Sequence, residues 1–179
     1  MAEFGAKYPC FKPDDAETGI VIAKLVAANL TVNLASGELF ADDALDEQLS
    51  EFASGSVAME TNDLIDENAA VIYGCKVNEK VVTYNVGDTA PSGVLGYYKS
   101  LMRNKVKYFK AIVYPCARAA LGNDNAQTKG SSITFATTAT TFTIMANDSG
   151  DWRLTQTFPS EAEAKAWINE MCGIAPASA

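Results

Sequence analysis

Hydrophobic and polar residues alternate with a period of two along much of this chain, the pattern of strands that turn one face inward. In "NLTVNLA", Leu30, Val32 and Leu34 alternate with Asn29, Thr31 and Asn33. "GSVAMETN" repeats the pattern through Val57, Met59 and Thr61, and "KVVTYNV" through Val82, Tyr84 and Val86. "VLGYYKSLMR" and "KVKYFKAIVY" flank Arg103-Asn104 and predict a hairpin, because Asn suits a left-handed turn position. The second arm is apolar on both parities, with Val106, Tyr108, Ile112 and Tyr114 against Phe109, Ala111 and Val113. A strand of that kind is expected to be covered on both faces. In "SITFATTATTFTIMA", Ile133 and Phe135 are odd whereas Phe142 and Ile144 are even. One continuous strand cannot turn both pairs to the same side, so a bulge, bend or turn is expected within residues 137–141. "NDSGDW" then turns the chain into "WRLTQTF", with Trp152, Leu154 and Phe158 facing inward.

Two segments switch to helical periodicity. "DLIDENAAVIY" predicts a short helix with Ile65, Ala69, Ile72 and Tyr73 on one stripe, Asp63 as N-cap and Gly74 as its stop. "PSEAEAKAWINEMCG" predicts a longer one, in which Ser160 and Glu163 form a capping box and Gly173 sits just past the end. Ala164, Trp167, Ile168 and Met171 make its inward stripe. The fold class expected is therefore mainly β (α+β): an antiparallel β-sandwich or partial barrel, with one packed helix near the C-terminus and a shorter second helix. Few prolines block strand edges, so some edges are expected to be closed by other subunits.

Between two of the strands lies "ASGELFADDALDEQLSEFASG", residues 35–55. It carries Glu38, Asp42, Asp43, Asp46, Glu47 and Glu51 without a basic residue. It is also dotted with Leu39, Phe40, Leu45, Leu49 and Phe52, which a solvated loop has no use for. It reads either as a long, partly apolar connector or as a short helix, with Leu45, Leu49 and Phe52 on one face and Asp42 or Asp43 as its cap.

Charge follows the same division. From Lys24 to Lys76 no basic residue intervenes, and the acids of the loop are joined by Glu60, Asp63, Asp66 and Glu67. From Asp88 to Asp124 no acid intervenes, while Lys99, Arg103, Lys105, Lys107, Lys110 and Arg118 occur. Such segregation serves two solvated faces or two regions that meet, within or between subunits. A third reading makes the run from Lys99 to Lys110 a nucleic-acid surface, since aromatics interleave with its cations. The net charge of −8 argues against that.

The chain has 179 residues, no histidine and four scattered cysteines, Cys10, Cys75, Cys116 and Cys172. Without an imidazole, Ser-His-Asp and Cys-His catalysis are excluded. "GNDNAQTKG" lacks the strand and helix around a phosphate loop. The chain is expected not to be an enzyme, and to hold neither cofactor nor metal. "MAEFGAKYPC" lacks a signal pattern and no apolar run is long enough for a membrane helix, which predicts folding in a cytoplasm without a membrane partner. The organisation expected is an N-terminal arm over residues 1–19, one domain over 20–173 with the long loop 35–55, and a C-terminal tail over 174–179.

Taken together, "NLASGELFADDALDEQLSEFASGSVAMETNDLIDENAAVIYG" and "QTKGSSITFATTATTFTIMANDSGDWRLTQTFPSEAEAKAWI" resemble the major tail proteins, or tail-tube proteins, of long-tailed bacteriophages. The match is one of whole-chain pattern and carries over no catalytic motif. The resemblance implies a structural virion protein whose hexameric rings stack into the tail tube, the conduit for genome ejection. It implies assembly in the bacterial host cytoplasm, with tape-measure, tail-tip and tail-terminator proteins as partners. In this family the loop between the second and third strands commonly reaches an adjacent ring, which gives Leu39, Phe40, Leu45, Leu49 and Phe52 an anchoring role. The acids Asp42, Asp43, Asp46 and Glu47 would then meet cations such as Lys105 and Lys107. DNA would pass without specific binding, with Glu60 a candidate for the lumen wall. The alternatives are a small-ligand-binding β-barrel and the nucleic-acid-binding module already described.

Overall fold

The structure, a computed structural model, describes residues 2–41, 44–122 and 137–175. It is mainly β, with an antiparallel sheet and two helices. The elements are β1 (Ala2–Pro13), β2 (Ile20–Val21), β3 (Leu25–Ala41), β4 (Ala44–Thr61), α1 (Asp66–Tyr73), β5 (Lys76–Asn78), β6 (Val81–Thr83), β7 (Ser92–Arg103), β8 (Val106–Ala120), β9 (Thr138–Met145), β10 (Leu154–Phe158) and α2 (Glu161–Met171). The principal sheet runs β2-β1-β7-β8-β9-β4-β3, and β10 pairs with β8; β5 and β6 form a separate small ribbon. No sheet is closed.

β8 serves two partners along one edge. Phe109 to Val113 pair with β10, and Cys116 to Ala120 pair with β9. Pro115, which has no N–H to donate, stands at the changeover. A register shift between Gly93 and Leu95 on β7 falls opposite the same point. The bulge bends β8 and divides the sheet into two halves.

Two cores follow. On one face Phe11, Val57, Met59, Leu95, Ile112, Tyr114, Phe142 and Ile144 pack with Ala69, Ile72 and Tyr73 of α1. Phe11 on β1 and Phe142 on β9 lie 5.5 Å apart by ring centroid although their strands are not neighbours, so the sheet curls over this core. On the other face Cys10, Tyr98, Phe109 and Ala111 pack beneath Ala164, Ile168 and Cys172 of the α2 region. From Phe109 to Tyr114 the two-sided apolar pattern of β8 is thus covered on both faces within the chain, whereas Val106 is exposed.

α2 begins where its pattern predicts: the Ser160 hydroxyl accepts from the Glu163 N–H at 3.2 Å, and Gly173 takes φ 56°. α1 differs from expectation. Its N-cap position is Ile65, with no side-chain cap, so Asp63 does not cap it. Asp66 and Glu67 place negative charge in its first turn instead. Ile65 is exposed rather than on the inward stripe, whereas Gly74 ends the helix in the left-handed conformation as expected.

Four further expectations change. Most of the expected arm over residues 1–19 is β1, held between β2 and β7 with Cys10 and Phe11 fully buried in opposite cores. Two register shifts, at Gly5 and at Tyr8 (φ 61°), interrupt its alternation and hide it from a period-two reading. The β7–β8 turn is centred on Asn104-Lys105, one residue later than expected, with φ 51° and 65°. From Thr138 the β9 pairing runs unbroken, so no break falls within 138–141; Ile133 and Phe135 lie outside the described residues. Trp152 precedes β10 and joins the α1-side core, while Phe158 joins the α2-side core.

Two substitutions test these backbone assignments. Lys105 occupies a left-handed position where glycine is unstrained, so Lys105→Gly should stabilise the fold by about 1 kcal/mol in chemical denaturation. A Cβ on Gly74 (φ 71°) would lie 2.3 Å from the Thr89 carbonyl oxygen. Gly74→Ala should therefore destabilise by about 1 to 2 kcal/mol or more on the same measurement.

Candidate assembly surfaces

β3 and β4 pair from Leu25–Thr61 to Ala41–Ala44, with register shifts after Leu25, Asn33 and Leu39. The last rung that β4 shares with β9 is Gly55–Ile144. Beyond it the two strands run on alone, about 35 Å at the usual rise per residue. The stretch 35–55 is therefore neither a loop nor a short helix; it is the far half of a β-hairpin. Its acid-rich composition suggested a connector, but Leu39, Leu45, Leu49 and Phe52 fit a ribbon as well as they fit helical spacing.

Among the described side chains from Glu38 to Glu51, neither face of this ribbon is covered. Leu39, Phe40, Leu45 and Leu49 are 55, 63, 50 and 62% exposed. One face carries the pairs Ala35–Glu51, Gly37–Leu49 and Leu39–Glu47, so Leu39 and Leu49 lie diagonally adjacent between two carboxylates. The other carries Leu34–Phe52, Ser36–Ser50, Glu38–Gln48 and, past a register shift, Phe40–Leu45. The Gln48 amide donates to Glu38 at 3.3 Å. A two-stranded ribbon is marginal in water by itself. Phe52 alone of the predicted anchors folds back on the body of the chain, stacked on Trp152 at 4.4 Å and 7° between planes. Asp42 and Asp43 lie outside the described residues, and Asp46 falls within β4.

Lys105 and Lys107 lie at the β7–β8 turn. Among the described residues, no hairpin carboxylate forms an ion pair with either one inside the chain; the pairs found are Lys7–Glu161 at 3.3 Å and Lys99–Glu3. Lys107 instead sits over Phe109 and Phe4, 4.9 and 5.7 Å from their ring centroids, and Arg103 lies 6.0 Å from that of Tyr108.

Glu60 lies on the outer face of β4, away from the core. Its row is Ala27–Glu60–Ala139; the next rows are Asn29–Ala58–Thr141–Ala120 and Thr31–Ser56–Thr143–Arg118. This face bears small polar or methyl side chains and one charge of each sign. Apart from Glu60 it is not legible in the sequence, because the alternation that marks the inward residues says nothing about what the outward ones form together.

Other chemistry is sparse. Among the described residues no cluster of Cys, Asp and Glu could hold a metal ion. Burial raises the Cys10 thiol far above its ordinary value and pushes Cys172 up to about 12, which leaves both poor nucleophiles. A cleft of about 440 Å³ lies beside α1, lined by Leu64, Asp66, Tyr73, Leu121 and Thr138 among others. No protein-family model matches this chain, and no curated protein matches it.

Two carboxylates tie the chain's first strand to other elements. Tyr98 donates to Glu161 at 2.6 Å and Lys7 adds an ion pair, holding the Glu161 carboxyl below its ordinary 4.5; the Lys99 ammonium does the same for Glu3. Their folded values lie below the unfolded ones, so their contribution is complete above pH 4.5 and is lost as pH falls through the lower folded values. Glu161→Gln should lower the melting temperature at neutral pH, and the deficit against the parent should shrink as the buffer is taken to about pH 3.

Proposed function

We propose that this chain is a structural subunit that assembles with copies of itself into rings stacked as a tube, a phage tail-tube protein. The observation that carries the reading is the ribbon of residues 35–55, which projects from the sheet with apolar side chains bare on both faces. A lone soluble subunit gains nothing from exposing Leu39, Phe40, Leu45 and Leu49 there, whereas a neighbour that covers them removes that surface from water. Ring closure by head-to-tail contacts needs two different faces on each subunit, and the segregated charges supply them.

The remaining features agree. The curled, open sheet suits a subunit's share of a barrel that closes only between copies. The outer face around Ala58, Thr141 and Thr143 suits the wall of a conduit, since small polar side chains offer duplex DNA little to hold. Glu60 on that wall repels phosphate over a Debye length of about 8 Å at physiological salt. In this reading the protein is not an enzyme; tape-measure, tail-tip and tail-terminator proteins are its further partners, and the virion tail is its final location.

Rings or hollow tubes should form as purified protein is concentrated, visible by light scattering and negative-stain electron microscopy. The variant with Leu39, Phe40, Leu45 and Leu49 all changed to Ser should keep its melting temperature and lose assembly. A parent protein that stays monomeric at its highest soluble concentration would overturn the reading. Glu60→Lys should alter stability by no more than about 0.5 kcal/mol. Assembled tubes of that variant should retain duplex DNA in low salt where parent tubes release it.

The small-ligand reading draws on the cleft beside α1. It predicts instead a monomer whose melting temperature rises with an apolar ligand and falls back when Leu121 is made Asp.

A further inference from the structure

Resting on the assembly reading, we infer that the acidic ribbon of one copy docks against the cationic end of the β7–β8 hairpin of a second copy placed beside it, edge to edge. Three observations converge on this pairing.

The first is an unbalanced cluster of cations. Lys99 and Lys110 are Cα partners across the β7–β8 ladder, so two ammonium groups share one face of adjacent strands. Like charges so placed are destabilising. Glu3 pairs with Lys99 and feels Lys110, and Glu161 is engaged by Lys7 and Tyr98 and feels Lys107, so two carboxylates serve all of these cations. Arg103, Lys105 and Lys107 form no ion pair with a described residue. Arg153, whose charge reaches Glu3, has a buried Nε with no hydrogen-bond partner among the described residues.

The second is that this end is apolar as well as cationic. Phe4, Met102 and Val106 are exposed around the turn. The ribbon presents the complement: Leu39 and Leu49 between Glu47 and Glu51 on one face, Phe40 and Leu45 with Glu38 on the other. Apolar contact would supply the affinity and charge the register.

The third is topology. The sheet order puts β3 at one edge and β2, β1 and β7 toward the other. Because every pairing is antiparallel, β3, β9 and β7 run the same way. The β3–β4 turn and the β7–β8 turn therefore lie at the same end of the strands but on opposite sides of the sheet. A copy placed beside the first, without reversal, brings the ribbon of one level with the cationic turn of the other. β2 covers β1 only at Cys10 and Phe11, which leaves the part of β1 next to that turn as open edge.

The test is a charge swap read by sedimentation velocity, with circular dichroism melts as the check on folding. Lys105→Glu with Lys107→Glu should weaken association at least tenfold, and so should Glu47→Lys with Glu51→Lys. Mixing the two variants should restore it, because each supplies the surface the other has lost. Zero-length carbodiimide coupling of a mixture of isotope-labelled and unlabelled parent protein should join Glu47 or Glu51 of one copy to Lys105 or Lys107 of another. Undiminished association of the lysine variant, or no rescue on mixing, would overturn the pairing while leaving assembly intact. A parent that never associates would overturn the pairing together with the assembly reading. Tight, salt-sensitive binding of a labelled DNA duplex by the parent, lost in the lysine variant, would reassign the cationic end to phosphate and overturn the pairing.

Discussion

Both halves of the sheet depend on β8, and β8 depends on Pro115. A strand with one neighbour along each edge would continue a single twisted sheet. Pro115 cannot donate to a ladder, so the pairing on that edge lapses and resumes with a different strand. β10 takes the first half and β9 the second. The bend lets the α1-side core close around Phe142 and Tyr114 while the other face of β8 remains available to α2. Tyr114, at that bend, is fully buried and shares its environment with the Tyr97 hydroxyl at 3.5 Å.

Much of this was legible in the sequence, and the failures have physical causes. Val57, Met59 and Thr61 are buried as their alternation requires, and the Ser160 cap and Gly173 stop of α2 sit where composition placed them. β1 was missed because Gly5 and Tyr8 break its register, and because neighbouring Cys10 and Phe11 serve opposite cores and so mimic no single-faced strand. Leu34 continues the alternation of Leu30 yet is 60% exposed, because the sheet beside it has ended. Periodicity reports which side of a strand is apolar and not whether anything lies opposite. For the same reason residues 35–55 stand out in the sequence yet read there as a connector. The apolar content was visible, and the ladder that arranges it was not.

The candidate surfaces were legible in part. The acidic and basic blocks can be counted directly from the chain, and Lys105 and Lys107 do fall at an exposed turn. What needed structure was the sense of the strands, which places both turns at one end, and the crowding of Lys99 against Lys110 across a ladder. Phe52 shows the opposite limit. It belongs to the same greasy set as Leu49, but Trp152 lies within stacking reach and claims it for the subunit's own core.

β1 also imposes an order on synthesis. Its ladder partner β7 does not begin until Ser92, and the helix that covers Cys10 does not end until Met171. At about 5 to 20 residues per second, β1 waits on the order of ten seconds beside a ribosome with its edge unpaired. The ribbon of residues 35–55 emerges long before the body that supports it, and its own hairpin is local enough to form at once. The nascent chain therefore displays the bare apolar side chains of Leu39, Phe40, Leu45 and Leu49 while the rest is incomplete. In the assembly proposed above, that order would expose neighbouring chains on one message to each other's ribbons before either body has folded.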